Sequence, residues 1–242
     1  MSYISNDGVK IHYEVEGNGP ALVLHHGLYG TMEDWREWGF VDALKNDYKV
    51  IFIDSRDHGK SDKPHDPSLY THYLRSLDVV KVLDDLGIAK SYYAGFSMGG
   101  WCGFGLMRWF EPRFSSFVVM AAHPFENDMK GMHEGIRAMD QWVPAEIPSA
   151  AMRARNLAND REALMAACHD PRVDQTAVLK GLSTPCMMIV GDRDGSYEKI
   201  KEGARLSGKI EFVTIPGADH VGLLYSCDAV TPHILRFLRN IK

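Results

Sequence analysis

Residues 91–110 read SYYAGFSMGGWCGFGLMRWF and contain the pattern Gly-x-Ser-x-Gly at positions 95–99. The apolar run before Ser97 predicts a buried strand, and the residues from Ser97 onward predict a helix that starts at once. Such a sharp strand-to-helix turn, called a nucleophile elbow, needs glycine on both sides because side chains there would collide with neighbouring backbone. The turn would hold the Ser97 hydroxyl near a helix N-terminus, where a developing negative charge is stabilised.

Strands alternate with helices along much of the chain, which predicts β-α-β units and a mostly parallel sheet. Apolar runs typical of buried strands lie at 21–26, 48–54, 91–96, 114–122, 185–191 and 210–216. Two further strand-like runs within residues 3–16 flank Asn6-Asp7-Gly8, which predicts a hairpin at an antiparallel edge. Helical patterns follow these runs at 31–45, 70–86, 97–110, 197–206 and 221–241.

The alternation stops between residues 123 and 183, where only helical patterning is visible. A helical insert between two strand-helix blocks predicts a lid over the sheet, so we expect one domain over residues 1–242. Methionine packs adaptably around irregular apolar groups. The lid methionines either pack the lid helices on the body of the protein or, together with a tryptophan, roof an apolar pocket. The predicted roof consists of Met129, Met132, Met139 and Trp142.

The composition excludes several classes of protein and of partner. The chain has 242 residues, of which 45% are hydrophobic and 24% charged, which excludes disordered and coiled-coil classes. The net charge of −5 gives no basic surface, so nucleic acid is not an expected partner. Neither a signal peptide nor a run of about 20 apolar residues is visible, which predicts a cytoplasmic protein without a membrane partner. The four scattered cysteines are expected to be buried thiols, and no metal-ligand spacing predicts a metal site.

A serine nucleophile needs a base and an acid that orients the base, and behind an elbow these follow in the order Ser, Asp or Glu, His. His220 lies in a loop after the predicted strand 210–216, which makes it the candidate base. Asp192 and Asp194 both lie in the loop after the strand 185–191. Asp194 is favoured because it stands further from the strand end, and Asp192 stays open as the alternative.

Two backbone N–H groups should form an oxyanion hole for the negatively charged oxygen of an acyl-transfer intermediate. One belongs to the residue after the nucleophile, Met98. The other is expected in the loop after an earlier strand, where His26-Gly27 precedes Leu28. The predicted hole therefore consists of the N–H groups of Leu28 and Met98.

Five motifs, read in order, resemble the α/β-hydrolase superfamily, in particular its small lid-bearing serine esterases and lactonases. They lie at residues 26–27, 54–61, 95–99, 191–194 and 217–220. The resemblance implies an eight-stranded, mainly parallel sheet flanked by helices, a lid after the sixth strand, and the second acidic position, Asp194, as the acid. The chain departs from the family pattern twice. Asp57 replaces the first glycine of D-x-R-G-x-G-x-S, and the usual proline after the acid is absent.

The resemblance implies hydrolysis of a carboxylic ester or lactone through an acyl-enzyme, with no cofactor. The short lid and its methionines lead us to expect small to medium, partly apolar substrates. The same three side chains could instead act on C–C bonds, on thioesters or in peracid formation. A third reading is a ligand sensor that uses the pocket with little turnover. A small-molecule substrate is the expected partner, and the sequence leaves a homodimer open.

Overall fold

Eight strands form the sheet that positions the candidate site. The computed structural model describes residues 2–241. The strands are β1 (Ser2–Asn6), β2 (Val9–Glu16), β3 (Ala21–His25), β4 (Lys49–Ile53), β5 (Ser91–Phe96), β6 (Phe114–Met120), β7 (Cys186–Gly191) and β8 (Ile210–Ile215). They lie in the order β1-β2-β4-β3-β5-β6-β7-β8. The pairs β1–β2 and β2–β4 are antiparallel and all others are parallel, which confirms the predicted sheet and its antiparallel edge.

The hairpin that opens the sheet follows directly from two residues. Asp7 and Gly8 take φ angles of +54° and +78°, so both central residues of the turn are left-handed. This geometry matches the twist of paired strands and favours an Asp-Gly sequence. The register that results pairs Asn6 with Val9 and brings β1 to the sheet edge.

Alternating side chains of the central strands fill two apolar layers, one on each side of the sheet. Leu22 and Leu24 of β3 pack into one layer, whereas Val23 between them packs into the other. All three are buried. Strands buried on both faces need continuous apolar runs, which is why the sequence of β3 contains no polar position before His25.

Twelve α-helices are described in residues 2–241, and several predicted helices are divided. The helices are α1 (Glu33–Glu37), α2 (Phe40–Leu44), α3 (His72–Asp85), α4 (Met98–Phe110), α5 (Lys130–Arg137), α6 (Met139–Glu146), α7 (Ala150–Leu157), α8 (Arg161–Ala167), α9 (Thr176–Gly181), α10 (Tyr197–Ala204), α11 (Gly222–Tyr225) and α12 (Cys227–Arg239). The predicted helix 31–45 breaks at Gly39, which takes a φ of +85°. The predicted helix 221–241 divides at Ser226.

Helices α5 to α9 lie in the insert, which we define as residues 121–185 between β6 and β7. Its first two helices meet at Ala138, so the predicted methionine face does not run along one continuous helix. Asp160 accepts a hydrogen bond from the Ala163 N–H at 3.0 Å, and this cap begins α8. An isolated antiparallel bridge joins Asn127 to Arg172 and links the two ends of the insert.

Two further observations concern the chain as a whole. Among residues 2–241, every helix is too short or too polar to cross a lipid bilayer. The four cysteines are buried, as predicted, and no disulfide joins them in the described part of the chain.

Candidate active site

Ser97 stands at the sharp turn between β5 and α4, with φ +52° and ψ −107°. This conformation costs an L-residue about 1–3 kcal/mol, so the surrounding structure must impose it. A Cβ atom at Gly95 would overlap the backbone of Gly99, and one at Gly99 would overlap the carbonyl of His25. The Ser97 N–H also donates to the Met120 carbonyl at 2.8 Å. The two glycines are therefore required by the close approach of the backbone.

The structure brings Ser97, His220 and Asp194 together, although they are far apart in the sequence. The Nε2 atom of His220 lies 2.9 Å from the Ser97 Oγ atom, and its Nδ1 atom lies 2.8 Å from Asp194 Oδ2. Since a carboxylate can only accept, Nδ1 carries the proton and donates it to Asp194. This tautomer leaves the Nε2 lone pair free to accept a hydrogen bond from the serine hydroxyl.

Asp194 is held as an anion next to the imidazole of His220. Its side chain is 3% exposed, whereas the His220 side chain is 42% exposed. Burial by itself opposes a charged carboxylate, but the hydrogen bond and charge of His220 and the Ser196 N–H hold the pKa of Asp194 below its usual value. The Ser196 N–H reaches Asp194 Oδ1 at 2.7 Å. The carboxylate can thus orient His220 and stabilise its protonated form.

Asp192, the alternative acid, has a different place. Its Oδ1 atom accepts a hydrogen bond from the Gly217 N–H at 2.7 Å. This bond ties the loop that carries Asp194 to the loop that carries His220. Asp219, the neighbour of His220, accepts from the Gly222 N–H at 2.7 Å. Neither carboxylate is hydrogen-bonded to the imidazole, so the structure pairs His220 with Asp194.

The two predicted oxyanion-hole residues flank Ser97. The Gly99 N–H donates to the His26 carbonyl at 3.0 Å, which holds the loop after β3 against the elbow. A Cβ atom at Gly27 would lie 3.3 Å from the Ser97 Cβ atom, so only glycine allows this approach without displacement. Within residues 2–241, the N–H groups of Leu28 and Met98 donate to no backbone or side-chain acceptor. Neither N–H group is therefore used by a protein acceptor in the described residues.

Ser97 and His220 open into a cavity of about 150 Å³, which we call the serine cavity. Its wall is mostly apolar and comes from the sheet loops and the insert: Gly27, Leu28, Tyr29, Gly30, Asp34, Phe96, Met132, Trp142, Ile147, Met152, Asn156, Val221 and Leu224. Two of the four predicted pocket residues, Met132 and Trp142, belong to this wall. The structure corrects the other two. Met129 lines a neighbouring cavity, and Met139 has no exposed surface.

The break at Ala138 accounts for the position of Met139, because α6 does not continue the face that α5 presents. The wall also contains residues that the sequence did not predict, among them Tyr29. The ring of Tyr29 packs edge-on against Trp142 at a centroid distance of 5.0 Å, and the Trp142 Nε1–H donates to the Gly135 carbonyl at 2.9 Å. The only sequence signal for Tyr29 is its place beside Leu28.

One ion pair anchors the insert to the body of the protein at the rim of the serine cavity. An Arg155 Nη atom on α7 lies 2.7 Å from Asp34 Oδ1 on α1 and also contacts Glu37. Burial raises the pKa of Asp34, and Arg155 opposes that increase. No sequence motif predicts this pair, since its members are 121 residues apart.

Asp57, which replaces the family glycine, keeps the backbone conformation of a glycine. It takes a φ of +82° and is fully buried. Its carboxylate lies 3.1 Å from an Arg75 Nη atom and 2.7 Å from His58 Nδ1. Burial opposes its charge, but Arg75 and His58 hold the pKa of Asp57 below its usual value. On its other side, His58 Nε2 accepts the Tyr29 N–H at 3.2 Å, next to Leu28.

A family model described as the alpha/beta hydrolase fold matches residues 20–146, about half of the chain. The chain belongs to the α/β-hydrolase family. The match includes the elbow and the loop after β3, and the eight-stranded sheet with flanking helices extends the same fold to the remaining strands. No cluster of three His, Cys, Asp or Glu side chains that could hold a metal ion occurs among residues 2–241.

Several hydrolases are similar to this α/β-hydrolase. It is 32% identical to 3-oxoadipate enol-lactonase 1 of Acinetobacter baylyi over 48% of this chain and 42% of that protein. It is 31% identical to an sn-1-specific diacylglycerol lipase of Danio rerio over 63% of this chain and 48% of that protein. The alignments thus span less than half the length of these curated relatives. The solved enol-lactonase of Burkholderia xenovorans LB400 superposes with a TM-score of 0.88 at 24% identity, covering 99% and 100% of the two chains.

Proposed function

We propose that this protein hydrolyses a carboxylic ester or lactone with Ser97 as nucleophile, His220 as base and Asp194 as the orienting acid. The observation that carries the proposal is the continuous set of hydrogen bonds from Ser97 Oγ through His220 to Asp194. Each atom in this set has the donor or acceptor role that the reaction needs. The names of the relatives, which include an enol-lactonase and a lipase, support the same class of bond.

The reaction would proceed in two stages. His220 Nε2 takes the hydroxyl proton as Ser97 Oγ bonds to the carbonyl carbon, and the carbonyl oxygen becomes an anion that accepts from the N–H groups of Leu28 and Met98. The protonated imidazole then gives its proton to the leaving oxygen, and the C–O bond breaks. Water repeats the sequence on the acyl-enzyme, which releases the acid and restores Ser97.

The wall of the serine cavity favours a small to medium, partly apolar acyl or alcohol group. Tyr29, Met132, Trp142 and Met152 provide apolar contact surface, and the volume of about 150 Å³ limits its size. Helices α5 to α7 supply several of these side chains, so we assign the insert the role of a lid that shapes the pocket.

Hydrolysis of a panel of p-nitrophenyl esters and lactones tests this proposal. We expect turnover by the wild-type protein, highest for short acyl chains, and a loss of about 10⁴-fold or more in kcat for Ser97→Ala and for His220→Gln. Ser207→Ala, on an exposed turn, is the matched control and should keep full activity.

Equal turnover in the wild-type protein and Ser97→Ala would overturn the proposal. Tight ligand binding without turnover of any ester or lactone would instead favour a sensor. Turnover confined to β-diketones, thioesters or peracid formation would show that the same three side chains act on a different type of bond.

A further inference from the structure

A second cavity, of about 200 Å³, adjoins the serine cavity, and we call it the arginine cavity. Leu28 lines both cavities, and Met98, which directly follows Ser97, lines the second one. Two cationic side chains, Arg75 of α3 and Arg172 of the insert, reach its wall. A group bound there would lie on the far side of Leu28 from the serine cavity.

The two arginines differ in how their charge is balanced. Arg75 forms an ion pair with the buried carboxylate of Asp57 at 3.1 Å. Arg172 forms no hydrogen bond or ion pair through its side chain with any residue in 2–241; its guanidinium instead lies over the Trp101 ring, 4.9 Å from the centroid. Of the two arginines, only Arg172 therefore lacks an ion-pair partner among residues 2–241.

None of the other polar groups of the wall that we compare forms an ion pair with Arg172. Burial, together with the neighbouring arginines, lowers the pKa of His72 to about 3, so this ring is neutral. Burial raises the pKa of the Cys168 thiol to about 11, so it is also neutral. The Asp170 side chain is 76% exposed and bonds to the adjacent His169 at 3.0 Å.

Arg172 also borders an open groove on the protein surface that includes Glu126 and Asp128. No ion pair within 4.0 Å joins either carboxylate to Arg172 among the described residues. Lys199 lines the same groove and provides a competing cation for them. Neither carboxylate of this groove is therefore an ion-pair partner of Arg172 in the described residues.

Arg172 is held in place before any ligand arrives. Its backbone forms two hydrogen bonds with Asn127, at 2.8 and 3.0 Å, and its guanidinium is stacked on Trp101. Burial and the proximity of Arg75 lower the pKa of Arg172 to about 10, which still leaves it charged at neutral pH. Arg172 is half-buried, and a partly desolvated cation without an ion-pair partner favours binding of an anion. A planar guanidinium matches a carboxylate with two parallel hydrogen bonds.

We propose that the arginine cavity binds a carboxylate group of the substrate through Arg172, while the ester or lactone carbonyl lies at Ser97. The preferred substrate is then an anionic ester or lactone that carries its carboxylate several bonds from the scissile carbonyl. This inference rests on the proposed function for the place of the carbonyl, but the carboxylate site itself can be tested without turnover.

The kinetic test compares mono-p-nitrophenyl esters of glutaric, adipic and pimelic acid with the same compounds whose free carboxyl is masked as a methyl ester. We expect the wild-type protein to prefer the free acid at one chain length or more by about 10- to 100-fold in kcat/KM, the range for a hydrogen bond to a charged group. Arg172→Gln should remove this preference by raising KM for the free acids, and Arg172→Lys should retain part of the preference.

Arg137→Gln is the matched control, because it removes the same charge from an exposed position on the insert and should leave the preference intact. The neutral esters should be hydrolysed by both proteins. If wild type and Arg172→Gln then show the same preference for the free acid at every chain length, the proposal is overturned. If no ester is hydrolysed at all, the proposed function fails, and calorimetric titration with the adipate dianion decides the site. Binding that Arg172→Gln abolishes supports the site, and binding that is absent or unchanged overturns it.

Discussion

Two histidines in this protein contact an aspartate through Nδ1 in the same way, but their Nε2 atoms have different partners. In one, Asp194 lies 2.8 Å from His220 Nδ1, and in the other Asp57 lies 2.7 Å from His58 Nδ1. In both, the carboxylate fixes the tautomer that leaves Nε2 as an acceptor. The Nε2 atom of His220 faces the hydroxyl of Ser97, whereas that of His58 faces the backbone N–H of Tyr29.

Exposure and the partner at Nε2 distinguish a pair that can take part in proton transfer from a pair that holds the structure. The His220 side chain is 42% exposed and opens into the serine cavity, where the proposed reaction requires it to pass a proton from Ser97 to a leaving group. His58 is fully buried and its partner is an amide that cannot lose its proton under ordinary conditions. We therefore assign proton transfer to the first pair and positioning of the loop that contains Leu28 to the second.

Replacing the acid of the first pair should have the largest effect. Asp194→Asn removes the charge that stabilises protonated His220 and allows the wrong tautomer, so kcat for a p-nitrophenyl ester should fall about 10⁴-fold. Asp192→Asn is the matched control, since the Asp192 side chain accepts a hydrogen bond from the Gly217 N–H and has no contact with His220 among the hydrogen bonds of residues 2–241. It should change kcat less than tenfold and lower the free energy of unfolding by about 1 kcal/mol. The reverse order of the two variants in kcat would contradict the pairing of His220 with Asp194.

Replacing the acid of the second pair should affect stability more than catalysis. Asparagine tolerates the φ of +82° at position 57, but it leaves the buried Arg75 guanidinium without a counter-ion. We expect Asp57→Asn to lower the free energy of unfolding by about 3 kcal/mol in denaturant titrations, and kcat to change less than tenfold. Asp42→Asn, at an exposed ion pair, should be close to neutral. A stable Asp57→Asn protein whose kcat is reduced as far as that of Asp194→Asn would contradict the assignment of different roles to the two pairs.

His72 differs from His220 and His58 because it has no carboxylate partner among residues 2–241. The pKa of His72 is lowered by burial to about 3, against about 6.5 in the unfolded chain. Below pH 6.5 the unfolded state therefore binds a proton that the folded state does not, so stability falls as the pH falls. Between pH 6.5 and 5 this histidine should contribute about 2 kcal/mol to that loss.

The free energy of unfolding of wild type and His72→Gln, measured at several pH values in this range, gives the contribution as a difference in slope. Glutamine can keep the hydrogen bond to the Trp101 carbonyl that His72 makes at 2.9 Å. Parallel curves for the two proteins would show that His72 takes up its proton in the folded state as well.

The sequence predicted the sheet and the grouping of Ser97, Asp194 and His220, because local signals specify them. The elbow glycines mark a strained turn, and the two loops follow strands whose carboxyl ends meet at one edge of the sheet. The cavity walls were predicted poorly. Met139 turned out to be buried in the core, because where α6 packs depends on a helix break at Ala138 that no glycine or proline marks.

Contacts across long distances in sequence were also missed. Asp34 and Arg155 are 121 residues apart, and nothing local to either predicts the ion pair. The buried Asp57–Arg75 pair joins a loop to a helix in the same way. Asp57 could be recognised as a departure from the family motif, but its partner is specified only by tertiary packing.

The most direct test of the account is covalent labelling with a fluorophosphonate, followed by intact-mass measurement and peptide mapping. We expect one adduct per chain, on Ser97, no adduct in Ser97→Ala, and labelling slowed by about 10³-fold or more in His220→Gln. An unlabelled wild-type protein, or an adduct on another residue that persists in Ser97→Ala, would contradict the assignment of Ser97 as the nucleophile.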